Sequence, residues 1–285
     1  YFAAQWDTWF VGRTLGIVAV SFYSRSFDLT TRVSDILSNT LFGQVLFPSY
    51  AKLQDDKPRL SRVYLKSTNL VLLLMIPVSL GLLVIAPLLI PVLLGDQWTP
   101  MIPVWQLFCI YGLTRPISTN SSPLFLAVGK PRNNVAAALA VIVVMVPLVI
   151  LLAPRYGITG AAVGVVIAYT LAMFFNVYQV ERILPGTARK TLFQALPFLL
   201  AGGLMSAAIV GAQDLVVRLA GGENALAVIA LILLGALVYI AVVCLLQWPL
   251  VVEIYELIIT ALRLDRRWPR LAPRPRTTCL LYTSD

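Results

Sequence analysis

Residues 67–94 read STNLVLLLMIPVSLGLLVIAPLLIPVLL, twenty-eight residues without a charge. A bilayer's hydrocarbon core is about 30 Å thick and takes roughly twenty apolar residues as a helix, so this stretch is long enough to cross. Working outward, five more segments pass the same test. Met101–Val128 carries one charge, Arg115, whereas Val135–Ala153, Ile158–Val180, Leu192–Gln213 and Ala225–Val252 carry none. Residues Val18–Pro48 read as one further, polar-striped helix, preceded by the end of another. In lipid every backbone N–H and C=O must be paired within its own segment, and the alternation of a barrel strand is missing, so these segments are expected as helices. The expected fold is all-α, a polytopic transmembrane helix bundle of seven or eight crossings.

Composition points the same way. Apolar residues make up 59% of the 285 and charged residues 12%, with mean hydropathy +0.85. An ordinary soluble domain is about a quarter charged. The net charge of +9 would raise nucleic acid as a partner in a soluble chain. Here the basic residues alternate between connectors instead. Connector 52–66 holds Lys52, Lys57, Arg59, Arg62 and Lys66. Connectors 129–134 and 181–190 add Lys130 and Arg132, then Arg182, Arg189 and Lys190, and the tail from Arg263 adds six more. The intervening connectors hold only Arg155 and Arg218, so the count is sixteen against two. Lys/Arg excess marks the cytoplasmic face. The alternation therefore predicts a multi-pass membrane protein with a cytoplasmic C-terminus, and no nucleic-acid partner.

Histidine is absent, which removes imidazole acid/base chemistry and His-ligated metal sites. Cys109, Cys244 and Cys279 are far apart and show no metal or disulfide spacing. There is no phosphate-binding glycine loop and no GxSxG. Asp55–Asp56, in a Lys/Arg-rich connector, read as a solvated charge cluster. No enzyme, metal site or cofactor is expected. The terminal RTTCLLYTSD follows a Pro/Arg stretch and resembles no domain end, so the last ten or so residues are expected to be non-native.

Two polar features remain. Arg25, Asp28, Arg32, Asp35 and Asn39 recur at three- and four-residue spacing and so share one helical face, with Ser21 and Ser24 upstream. Ionisable groups at membrane depth cost several kcal/mol and usually face a bundle interior or water-filled cavity. The stripe reads as a cavity wall whose arginines meet an anionic substrate. The competing reading is mutual neutralisation that only orients the helix near an interface. Arg115 lies in a polar island (Thr114, Ser118, Thr119, Asn120, Ser121, Ser122) between two apolar halves of a helix that Pro116 and Pro123 interrupt, so a broken helix and a second cavity group are expected there. A stabilised kink is the alternative there. Gly157, Gly160 and Gly164 read as helix-packing positions, Trp98, Trp105 and Trp248 as interfacial belt residues, and Lys130 and Arg132 as possible partners of lipid phosphates.

The order of these features carries a resemblance. GRTLGIVAVSFYSRSF (12–27), GQVLFPSYAKLQDD (43–56), PVLLGDQWTP (91–100), LFLAVGKPRN (124–133) and YGITGAAVG (156–164) resemble the C-terminal half of Wzx-type polysaccharide and O-antigen flippases. These are colanic-acid-exporter-like lipopolysaccharide biosynthesis proteins of the MOP exporter superfamily. The likeness runs over about residues 5–215. It implies a MOP/MATE-like C-terminal lobe plus two extra helices. Residues 1–190 would be the second six-helix lobe with its first helix truncated, 191–262 the two additional helices, and 263–285 a basic cytoplasmic tail. It also implies flipping of a lipid-linked oligosaccharide, undecaprenyl-pyrophosphate-linked, for lipopolysaccharide or exopolysaccharide synthesis. Arg25, Arg32 and Arg115 would meet the pyrophosphate, and Asp28 and Asp35 would balance charge or couple an ion. The implied partners are the lipid-linked oligosaccharide, membrane lipids and polysaccharide polymerase or export proteins. Two other classes compete: a MATE-like drug/cation antiporter fragment, which should prefer acidic cavity residues, and an integral membrane polysaccharide polymerase or ligase, which should carry a large outer loop.

Overall fold

The structure, a computed structural model, describes residues 2–38 and 44–247, with side chains described from Gln5 to Arg32 and from Leu46 to Gln247. Eight α-helices follow one another among the described residues: α1 (Phe2–Leu15), α2 (Ile17–Ser38), α3 (Gln44–Ala51), α4 (Lys57–Leu94), α5 (Ile102–Ala127), α6 (Arg132–Ile183), α7 (Thr187–Leu219) and α8 (Ala225–Leu246). A 3-10 turn, Asp96–Met101, joins α4 to α5. Tyr1–Tyr239 form one compact unit and Ile240–Asp285 a second, of which the last turns of α8 and Gln247 are described. Trp248 and the tail 263–285 lie outside the described residues.

Four helices are long and apolar enough to cross a membrane by length and composition: α4, α6, α7 and α8. The chain is thus a multi-pass, all-α membrane protein. The spans expected at Val135–Ala153 and Ile158–Val180 form one element, α6, folded back on itself. Gly157 breaks it at φ 63°, ψ −146°, a left-handed conformation that side-chain-bearing residues rarely adopt. The two halves then approach so closely that a Cβ on Gly160 would lie 2.3 Å from the Leu152 carbonyl oxygen, and one on Gly164 3.2 Å from Val149 N. The GITGAAVG stretch is therefore a packing device, as read from the sequence. The single helix expected over Val18–Pro48 is described in two parts, α2 to Ser38 and α3 from Gln44, and residues 39–43 lie outside the described residues.

Local chemistry sets the helix starts. Asp56 accepts the Arg59 backbone N–H at 3.0 Å with Pro58 in the first turn, so it caps α4 rather than belonging to a loose charge cluster. At α7, Glu181 reaches across the turn and accepts Gly186 N–H at 2.6 Å and Ala188 N–H at 2.7 Å. These are amides that a helix N-terminus leaves unpaired.

Packing is sequential at first and then turns back. α1 lies antiparallel to α2 across the Gly16 turn, α2 and α4 flank α5, α5 packs on α6, and α1 also touches α6. α7 runs beside α4 in the same direction. Ser61 bonds Thr187 at 2.8 Å near both N-termini, and further along a Cβ on Gly202 would meet Leu80 and Ile76. Tyr239 of α8 donates to the Leu73 carbonyl at 3.0 Å. One buried cluster (Leu60, Tyr64, Phe125, Val180, Ile183, Leu184) draws together the start of α4, the ends of α5 and α6 and the turn that leads into α7. It thereby collects the basic connectors at one end of the bundle. Trp105 does not stand in a belt: it is buried with Ile90, Met101 and Cys109, its indole N–H without a hydrogen-bond acceptor.

Candidate functional site

The charged stripe lies on α2, and the opposite face of that helix decides where it points. Tyr23, Ser26 and Thr30 are buried, at three- and four-residue spacing. Tyr23 meets Phe108 edge-on at 5.3 Å, and Thr30 lies against the Gly112 position of α5. Arg25, Asp28 and Arg32 fall on the other side and are exposed. Since a helix advances 100° per residue, burying one stripe presents the other outward. The three charges therefore share a face directed away from this chain's own packing. Asp35 continues the helix, with its side chain outside the described residues, and Asn39 lies outside them altogether.

Depth along the helix follows from the aromatic contacts. Phe22 stacks edge-on against Trp98 at 5.6 Å, and Phe27 meets Phe108 at 5.3 Å and Tyr111 at 6.1 Å, so α2 and α5 run in the same direction. Arg25 is near the end of the bundle that lacks basic connectors, its guanidinium 6.0 Å from the Trp98 ring centroid. That distance suits a cation–π contact. Arg32 is two turns deeper, roughly 10 Å further along at 1.5 Å per residue, and level with Arg115. The stripe thus starts close to an interface and runs inward.

Arg115 is not on that face. It is half-buried, with its guanidinium 5.8 Å from the Tyr111 centroid, and Tyr111 packs 4.6 Å from Tyr169 of α6. The sequence grouping of Arg115 with the stripe is one of level, not of surface.

The polar island around Arg115 is corrected further. α5 is continuous through Pro116 and Pro123 rather than broken. Side-chain hydroxyls bond carbonyls of the preceding turns: Thr114 to Tyr111 at 2.9 Å, Thr119 to Arg115 at 3.0 Å and Ser121 to Ile117 at 2.8 Å. Asn120 and Ser121 are fully buried and engaged between helices. Asn120 Oδ1 accepts from Tyr50 at 2.8 Å and Ser67 at 3.2 Å, its amide donates to Thr68 Oγ1 at 2.5 Å, and Ser121 pairs with Tyr64 at 3.0 Å. Ser118 accepts from Asn176 at 3.2 Å. These residues join α5 to α3, α4 and α6. In a low-dielectric interior a polar group is stable when every donor and acceptor is paired, and here the island is mostly such a network.

The structure adds a group that the sequence reading passed over. Asp7, on α1, is 5% exposed and accepts the Tyr23 hydroxyl at 2.6 Å. Around it, Tyr23, Phe108, Tyr111 and Tyr169 connect α1, α2, α5 and α6. An acid flanked by aromatics in AAQWDTWF was the available signal, hidden by treating α1 as a mere helix end.

Residues 1–103 match the family described as "Polysaccharide biosynthesis protein". The chain is 28% identical over 178 residues to the lipopolysaccharide biosynthesis protein WzxC of Escherichia coli K12, covering 62% of this chain and 35% of that one. It is 29% identical over 171 residues to an uncharacterized membrane protein in the cps region of Klebsiella pneumoniae, covering 60% and 35%. Among solved structures it resembles the lipid II flippase MurJ in an inward closed conformation. The TM-score is 0.61 at 17% identity, over 88% of this chain and 52% of that one. The fold is thus MurJ-like, and the likeness to polysaccharide-biosynthesis membrane proteins read from the sequence is borne out. The chain spans about a third of the length of the curated relatives it matches.

Proposed function

We propose that this chain, a relative of polysaccharide-biosynthesis membrane proteins, is one lobe of a flippase that turns a lipid-linked oligosaccharide across the bacterial inner membrane. The observation that carries the reading is the α2 face: Arg25, Asp28 and Arg32 are exposed while Tyr23, Ser26 and Thr30 on the opposite side are buried. Three charges at this density would be costly against lipid. They are compatible with a second lobe closing a hydrated path over them, and half of the MurJ chain lies beyond the part matched here. Arg25 and Arg32 supply positive charge to an undecaprenyl-linked pyrophosphate, a planar fork suited to phosphate oxygens. Asp28 and Asp35 hold the empty face near neutrality, and Asn39 extends it. Arg115 contributes from the level of Arg32 through the aromatic group it covers. Asp7 is the buried carboxylate best suited to bind and release a coupling cation or proton as α1 and α2 move.

The 16:2 segregation of Lys/Arg orients the basic end and the C-terminus toward the cytoplasm. Translocation of this kind needs no bond-making residue and no cofactor, so the protein is not an enzyme. Polysaccharide polymerase and export proteins are its partners downstream. The domain limits at residues 190 and 262 belong to the same proposal. A MATE-like cation antiporter would favour acidic over basic groups on the open face, and a polymerase or ligase would need a large outer loop.

The test is export of surface polysaccharide by the full-length protein carrying Arg25→Ala or Arg32→Ala, with membrane expression measured alongside. Loss of display at normal expression is expected. Normal display in both variants would remove the assignment.

A further inference from the structure

The turn between α6 and α7 carries Arg182, Arg189 and Lys190, and the single acid between residues 178 and 193 is Glu181. Both oxygens of Glu181 are engaged by the Gly186 and Ala188 amides, so its charge is directed at the α7 N-terminus. Each arginine folds over a ring one turn along its own helix. Arg182 Cζ lies 4.7 Å from the Tyr178 centroid and Arg189 Cζ 5.3 Å from that of Phe193. Neither ring is a core residue: Tyr178 is 50% and Phe193 60% exposed.

The residues beyond each ring continue the pattern. On α6, Tyr178, Phe174 and Leu171 recede from Arg182 at four-, four- and three-residue steps. On α7, Phe193, Leu196 and Leu200 recede from Arg189 at four-, three- and four-residue steps, and all six side chains are exposed. Each set is one face of its helix. Eleven residues rise about 16 Å, roughly half of a 30 Å hydrocarbon core and so the depth of one leaflet. Two apolar tracks, each headed by a guanidinium held in place over an aromatic ring, start at the same turn.

We propose that the α6–α7 turn binds acidic phospholipid of the bilayer, the headgroup phosphate on Arg182 and Arg189 and acyl chains along the Tyr178 and Phe193 tracks. The charge selects anionic over zwitterionic headgroups, and the tracks match an acyl chain in length and polarity. The rest of this end reinforces the field, because the shared cluster of Leu60, Tyr64, Phe125 and Val180 brings the Lys130/Arg132 and Lys57–Lys66 connectors to the same end. This surface belongs to α6 and α7 and shares no residue with the α2 stripe. The lipid bound here is therefore a bilayer component and not the translocated substrate.

Native mass spectrometry of the intact chain in detergent, with phosphatidylglycerol or phosphatidylcholine added, reads the preference directly. The chain should retain phosphatidylglycerol selectively. At roughly fivefold in affinity for each surface basic residue, Arg182→Gln with Arg189→Gln should weaken that binding about 25-fold. Arg155→Gln, at the hairpin bend of α6 on the opposite side of the bundle, should leave it unchanged. Tyr178→Ala with Phe193→Ala should weaken both lipids alike and keep the preference. A preference that survives the double arginine substitution overturns the proposal. So does preferential displacement of phosphatidylglycerol by undecaprenyl phosphate, which would make the turn a substrate site.

Discussion

Tyr50→Phe isolates the energetic role of the polar island, because it deletes one hydroxyl and leaves the shape of the core intact. The Tyr50 hydroxyl lies 2.5 Å from Ser67 Oγ and donates to Asn120 Oδ1 at 2.8 Å, and Tyr50 is completely buried. After the substitution Asn120 Oδ1 still accepts from Ser67 at 3.2 Å, so no buried acceptor is orphaned. A neutral hydrogen bond contributes about 1 kcal/mol net in water-soluble proteins and about 0.6 between membrane helices, so losing two costs about 1–2 kcal/mol. Asn120→Ala removes more. It takes the acceptor for Tyr50 and Ser67 and the donor to Thr68, and it opens a small cavity, for about 2–3 kcal/mol. The two changes share a bond, so the double variant should fall short of their sum by about 1 kcal/mol. Thermal unfolding in detergent reads this as a loss of about 2–4 °C per kcal/mol. Thr119→Ala is the internal comparison, since that hydroxyl bonds only its own helix, at Arg115 O. If Tyr50→Phe and Asn120→Ala melt with the wild type, or no further than Thr119→Ala, the island is not helix-joining glue and its reading as a substrate-facing surface returns.

Three further outcomes are expected. Asp7→Asn keeps the size of the side chain and an acceptor for Tyr23. It should therefore leave folding nearly intact while stopping export by the full-length protein, and export at the wild-type rate would remove Asp7 from the coupling role. Glu181 is held below its ordinary value near 4.5, first by the Ala188 amide and then by that of Gly186. A depressed folded pKa stabilises above the unfolded value and is lost as pH falls through the folded one. Glu181→Gln should therefore cost about 0.5–1 kcal/mol at pH 7, allowing for solvent screening, and the gap from wild type should close in melting curves as pH falls from the ordinary carboxyl value through the lowered folded one; a pH-independent gap would argue against the cap. Gly160→Ala would place a Cβ 2.3 Å from a backbone oxygen that no rotamer change can move, so it should cost about 1–3 kcal/mol or more and lower membrane yield; unchanged yield and melting would mean that the α6 hairpin is looser than described.

Much of this protein was legible in its residues alone. Runs of uncharged apolar residues long enough for a bilayer fixed the helices, since burial in lipid depends on composition and length more than on what each helix touches. Segregated arginines and lysines grouped the connectors before any contact was known, and Gly157 with Gly160 and Gly164 marked the close hairpin. Tertiary structure decided the rest. A 3.6-residue period says that Arg25, Asp28 and Arg32 share a face and that Tyr23 and Thr30 share another, but only the packing of α5 against Tyr23 and Thr30 fixes which one is turned outward. The same holds for Asn120, read from sequence only as part of the polar island around Arg115 until Tyr50, Ser67 and Thr68 closed around it. Asp7 looked incidental until Tyr23 came to bond it, and Trp105 looked interfacial until the core enclosed it. Sequence spacing assigns a residue to a side of its own helix. Whether that side meets lipid, water or another helix is set by residues tens of positions away.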